Sequence, residues 1–162
     1  MKIISLSVLS IILVAGGCAS SPSAATSTAA PQPAVGPLNL TGSPDARSAV
    51  LAFLDAGKNG DLQALATFWG SSAGSVREVN NIPRDEMEKR ELVMLCYLAH
   101  DSHQIISDAQ SANNERVVAA QLRRGGLTRT ANFYAVAGPN GRWYVRQFDM
   151  EALTDFCKAK GR

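Results

Sequence analysis

LTRTANFYAVAGPNGRWYVRQF, residues 127–148, decides the fold. Apolar and polar side chains alternate on both sides of the break at Pro139-Asn140-Gly141. A period of two marks strands with one buried face, and Asn-Gly between two such runs marks a hairpin. The pattern predicts strands from Leu127 to Ala137 and from Arg142 to Phe148. Upstream, Gln104 to Ala109 and Arg116 to Arg123 read the same way, with turn residues at Asn113-Asn114 and Gly125-Gly126. Short links between four such runs predict an antiparallel meander.

Before His100 the rhythm is helical. Ser43-Pro44-Asp45 offers a hydroxyl cap, a proline at the first helical position and an acid near the positive dipole end. Ala46, Ala49, Val50, Phe53 and Leu54 follow on one face, and Lys58-Asn59-Gly60 ends the helix. Asp61 is placed to cap a second helix carrying Leu62, Leu65, Ala66 and Trp69. Residues 70–82 are polar and read as irregular. Pro83-Arg84-Asp85-Glu86 starts a third helix. Its expected buried stripe is Leu92, Leu95, Cys96 and Ala99, widened by Met87, Met94 and Leu98. Arg84 to Glu91 alternates acid and base and reads as a solvated face. After the strands, Asp149 is placed to cap a short helix with Met150, Leu153 and Cys157. Helices gathered before a run of strands define an α+β class, with helices on one face of the sheet.

Charge divides the chain differently. Its 162 residues carry a formal net charge of +2, too small to imply a nucleic-acid partner. From Ala19 to Pro44 there is no Asp, Glu, Lys or Arg, and apart from Lys2 every charged residue lies at Asp45 or beyond. The stretch ASSPSAATSTAAPQPAVGPLNLTGSP, residues 19–44, has almost nothing large to bury. It cannot offset the entropy of ordering and reads as a linker. Its average span as a flexible coil is roughly 30 Å. The expected division is therefore residues 1–17 as signal, 18–43 as linker and 44–162 as the globular domain, large enough for one core.

The opening MKIISLSVLSIILVAGGC has a positive start at Lys2, an apolar run from Ile3 to Val14 and small residues before Cys18. These are the parts of a secretory signal, and the apolar run is short for a membrane span. Val14-Ala15-Gly16-Gly17-Cys18 resembles the bacterial lipobox, with Ala15 where the usual pattern has Leu. The resemblance implies a lipoprotein: diacylglyceryl and palmitate-type chains on Cys18, cleavage before it, and attachment to a membrane. Two or more acyl chains anchor stably where one does not. Ala19 after the cysteine, rather than Asp, implies the outer membrane of the cell envelope, facing the periplasm.

The stretch VLAFLDAGKNGDLQAL, residues 50–65, and the closing Gly141-Arg142-Trp143-Tyr144-Val145 resemble the nuclear transport factor 2 superfamily, with its SnoaL-like and ketosteroid-isomerase-like members. That resemblance covers about residues 44–148. It implies a curved sheet, a cystatin-like roll, closing as a cone around a pocket.

With Cys18 assigned to lipid, Cys96 and Cys157 remain as an even pair in an oxidising compartment. They are candidates for a disulfide; the alternative is two buried thiols. His100 and His103, with Asp101 and Tyr97, are the candidate polar groups of a pocket, but two histidines fall short of a zinc set. No residue matches the family's catalytic set, and no metal or cofactor is implied. Arg123, Arg124, Arg129, Arg142 and Arg146 make the strand region basic; they read as solvent-face arginines or as anion-recognition groups. Phe53, Trp69, Phe133, Trp143, Tyr144 and Phe148 either line an apolar pocket or build the core. The expected role is therefore an anchored domain that binds an envelope protein partner or a small apolar ligand without catalysis. Two alternatives stay open: an isomerase or dehydratase with a cone pocket, and a structural subunit of an envelope assembly.

Overall fold

The computed structural model describes residues 41–79 and 82–158. Cys18 and the linker as far as residue 40 lie outside them. Helix α1 spans Ala46–Asn59, α2 spans Leu62–Phe68, and the pair β1 (Gly70–Ser71) and β2 (Gly74–Ser75) leads into the one-turn helix α3 (Val76–Val79). Helix α4 spans Arg84–Leu98. Strands β3 (Ser102–Gln110), β4 (Glu115–Arg124), β5 (Leu127–Ala137) and β6 (Trp143–Phe148) form one antiparallel sheet in that order. A turn at Met150–Leu153 and the short helix α5 (Thr154–Lys158) follow. The fold is α+β, as the sequence predicts.

Alternation positions the core. Val118, Ala120 and Leu122 on β4 and Ala131, Phe133 and Ala135 on β5 are buried, and Val118 stands opposite Phe133 in the register. Helix α1 packs against all four strands and presents Val50, Phe53 and Leu54 to them. Phe53 meets Phe133 edge-on at 6.4 Å between ring centres, and Phe133 stacks on Phe148 at 5.6 Å. Such aromatic pairs add about 0.5–1.5 kcal/mol beyond the area they bury. Gly57 lets α4 come close: a Cβ there would sit 2.7 Å from Leu98 Cβ.

Both edge strands carry a bulge. The register of β3 slips between Ile105 and Ser107, and that of β6 against β5 slips where Val145 gives way to Gln147. Bulges bend a strand and make an edge a poor template for further pairing.

Five local expectations are corrected. The first cap is Asp45 rather than Ser43: its carboxylate accepts from Ser48 N at 2.8 Å. Ser43 instead bridges to Trp143, so the folded unit already includes Thr41 and Gly42, which the linker was expected to contain. Arg142 Nε donates to the Thr41 carbonyl at 3.1 Å. Residues 70–79 form a β-turn pair and a helical turn, held by the Trp69 bridge to Val145, rather than an irregular segment. The buried stripe of α4 is Glu91, Met94 and Leu98, while Leu92 is exposed. Apolar residues surround this helix on several sides, so packing against α1 and α2, not periodicity, chooses the inward face. Asp149 accepts from Asn132 Nδ2 at 2.9 Å instead of capping the last turn.

Cys96 on α4 and Cys157 on α5 form a disulfide, with Cα atoms 4.7 Å apart. The bond ties the short C-terminal helix to α4 across 61 positions of sequence.

Candidate functional site

His100 and His103 flank the start of β3 and come together. His100 Nε2 lies 2.8 Å from His103 Nδ1, and His100 Nδ1 lies 2.5 Å from the Leu98 carbonyl. A carbonyl only accepts, so His100 Nδ1 carries a proton and donates. Burial depresses the His100 pKa and so favours the neutral ring, in which Nε2 is the acceptor for His103 Nδ1. His103 Nε2 points at Asp55 Oδ1 on α1, 3.9 Å away. The result is a pin between the end of α4, the start of β3 and α1.

The other two candidates stand apart from this pair. Asp101 accepts from Gly125 N at 2.6 Å, and its own N donates to the Arg123 carbonyl, so it fastens the β4–β5 turn. Tyr97 packs against the hydrophobic core. His103 lines a polar hollow of about 190 Å³ with Arg123 and three neighbours. Tyr97, His100 and Asp101 lie outside the hollow that His103 lines. Among the described residues no cluster of three or more His, Cys, Asp and Glu is arranged to hold a metal.

Of Arg123, Arg124, Arg129, Arg142 and Arg146, four are ties within the fold, while Arg123 is exposed beside the polar hollow. Arg129 pairs with Asp155, Arg124 donates to the Phe156 carbonyl, and Arg142 holds Thr41 and Gly42. Arg146 binds Glu115 at 2.7 Å across β5. Their sequence position is basic, but these four guanidiniums already have partners within the fold.

An apolar concavity lies between α4 and the end of β6. It has a volume of about 390 Å³, inside the usual range for small-molecule sites. Phe53, Trp69, Met94 and Phe148 are joined in its lining by Val93 and Met150. Val93 is 52% exposed. The remaining lining residues are Lys89, Arg90, Arg146 and Gln147. Of the aromatic residues that the sequence offered as pocket liners, Phe53, Trp69 and Phe148 are found here. Phe133 is core, and Trp143 and Tyr144 hold the segment at Thr41 and Ser43.

No protein-family model matches the chain, and neither a curated protein nor a solved structure matches it.

A second, polar cavity of about 310 Å³ lies on another face of α4, with Gln63, Arg77, Arg84, Glu88 and Glu91 in its lining. Glu91 is 1% exposed, and its Oε1 has no hydrogen-bond partner among the described residues. Burial pushes its carboxyl up to about 7, with the Glu88 charge adding to the effect and Arg77 opposing it. Sequence reasoning misses this residue because it ends the acid–base run of residues 84–91, whose other members pair on the surface as Arg84–Glu88, Lys89–Asp85 and Arg90–Glu86.

Proposed function

We propose that this protein is a lipid-anchored envelope lipoprotein whose α+β domain binds a small apolar ligand in the groove between α4 and β6. The groove is the observation that carries this reading. The hollow leaves apolar surface of Val93, Met150 and half-buried Trp69 wet above the buried Phe53, Met94 and Phe148, and each CH₂ group a ligand buries there gains about 0.8 kcal/mol. The domain is a cone-like roll of the nuclear transport factor 2 type in this reading. Helix α1 on one sheet face and a bulge in each edge strand support that shape. Anchoring rests on the lipobox-like residues before Cys18, with the outer membrane as destination. Among the described residues no helix is long and apolar enough to cross a membrane; the anchor proposed is lipid, not a span.

Val93→Trp tests the groove. The residue is exposed at the mouth, so a larger side chain fills the hollow without entering the core. Uptake of the neutral dye N-phenyl-1-naphthylamine is expected to weaken by about tenfold, equivalent to roughly 1.4 kcal/mol, with the thermal midpoint unchanged. Equal dye binding by both proteins contradicts the assignment of the ligand to this groove.

A further inference from the structure

The groove's charge says more than its hydrophobicity. Every charged side chain in its lining is a cation: Lys89, Arg90 and Arg146. The nearest acids on α4, Asp85 and Glu86, are absent from the lining although they pair with Lys89 and Arg90. Those are exposed pairs one helical turn apart, with the Lys89 side chain 70% and the Arg90 side chain 53% accessible. Pairs of that kind add little stability and exchange readily with other anions. Arg146 is different. Glu115 holds its guanidinium at 2.7 Å and is itself mostly covered, so Arg146 stays in place as part of the wall.

We infer that the ligand of this groove is an amphiphile with an anionic head, its carboxylate or phosphate held by Lys89 and Arg90 while its chain lies on Trp69, Val93 and Met150. The inference rests on the groove being the ligand site. An ammonium head there meets three cations in the lining, while the carboxylates that pair with them, Asp85, Glu86 and Glu115, lie outside it; a neutral head leaves the lysine and arginine paired only along their own helix. A carboxylate or phosphate gains charge-assisted hydrogen bonds from both. A free fatty acid and a lipid phosphate share this chemistry.

The test is calorimetric titration of the full chain carrying Cys18→Ser, which leaves every described residue in place, with four ten-carbon probes at low salt. These are decanoate, decyl phosphate, decanol and decyltrimethylammonium. Decanoate or decyl phosphate is expected to bind about fivefold or more tighter than decanol, as one or two exposed ion pairs allow. Decyltrimethylammonium is expected to bind weakest. The tighter of the two anions identifies the source, a free carboxylate or a lipid phosphate. In Lys89→Gln/Arg90→Gln the preference for the anions falls to within about twofold, while decanol binding is unchanged. If decanol binds as tightly as both anions, or if the double variant keeps the preference, the anionic head is wrong and the apolar groove stands. If none of the four probes binds, the groove itself is not a ligand site.

Discussion

Removal of the Cys96–Cys157 bond by a Cys96→Ala/Cys157→Ala double substitution is expected to lower the unfolding free energy by about 4 kcal/mol. The bond closes a loop of 61 positions, and the chain-entropy model assigns a loop of that length about that value. Helix α5 has only five residues, too few to persist alone in water. What else holds it is limited: buried Phe156, the Arg124 bond to the Phe156 carbonyl, and the Arg129–Asp155 pair. Urea unfolding of both proteins at one pH measures the difference. A loss below about 1 kcal/mol would mean that these contacts, not the bridge, fix the C-terminal helix.

The second large effect belongs to Glu91. Its carboxyl titrates near 7 in the folded protein and near the ordinary 4.5 when unfolded. Between those values the unfolded chain gives up its proton while the folded one keeps it. Stability therefore falls as pH rises from about 4.5 to about 7, and the loss is constant above that range. At about 1.36 kcal/mol per pH unit the full effect is on the order of 3 kcal/mol. Glu91→Gln keeps the shape and removes the ionisation. The variant is expected to match the wild type at pH 4, to gain on it through the window, and to be more stable by about 2–3 kcal/mol at pH 8. His100 acts in the opposite sense: its lowered pKa weakens the fold as pH drops below the ordinary 6.5. Both proteins share His100, so subtracting one pH profile from the other leaves the Glu91 contribution. A difference that does not change with pH contradicts the buried, neutral carboxyl.

The disulfide and Glu91 mark where the sequence is legible and where it is not. The cysteine pair follows from counting: the expectation that Cys18 takes lipid leaves only Cys96 and Cys157 to pair. The four strands follow from local alternation and from Asn140-Gly141, whose backbones are both left-handed in the turn. Glu91 is hidden because an acid in an alternating charged run carries no local sign of burial; only the approach of α2 and α3 seals it. The inward face of α4 is hidden for a related reason, since Met87, Leu92, Val93, Met94, Leu95 and Leu98 leave no single apolar stripe. Thr41 and Gly42 look like linker, yet Tyr144 and Arg142, about a hundred positions later, pin them into the fold. The groove was half legible. Phe53, Trp69 and Phe148 were visible as large aromatics, but Val93 and Met150 join them only once α4 and the turn after β6 are packed.

The most direct measurement is native mass spectrometry of the protein released from membranes in lipid nanodiscs, wild type beside Val93→Trp. The account predicts a chain beginning at Cys18 and carrying acyl chains, with a non-covalent companion of a few hundred daltons on the wild type and none on the variant. An unacylated chain that still begins at Met1, with no companion on either protein, would contradict both the anchor and the groove.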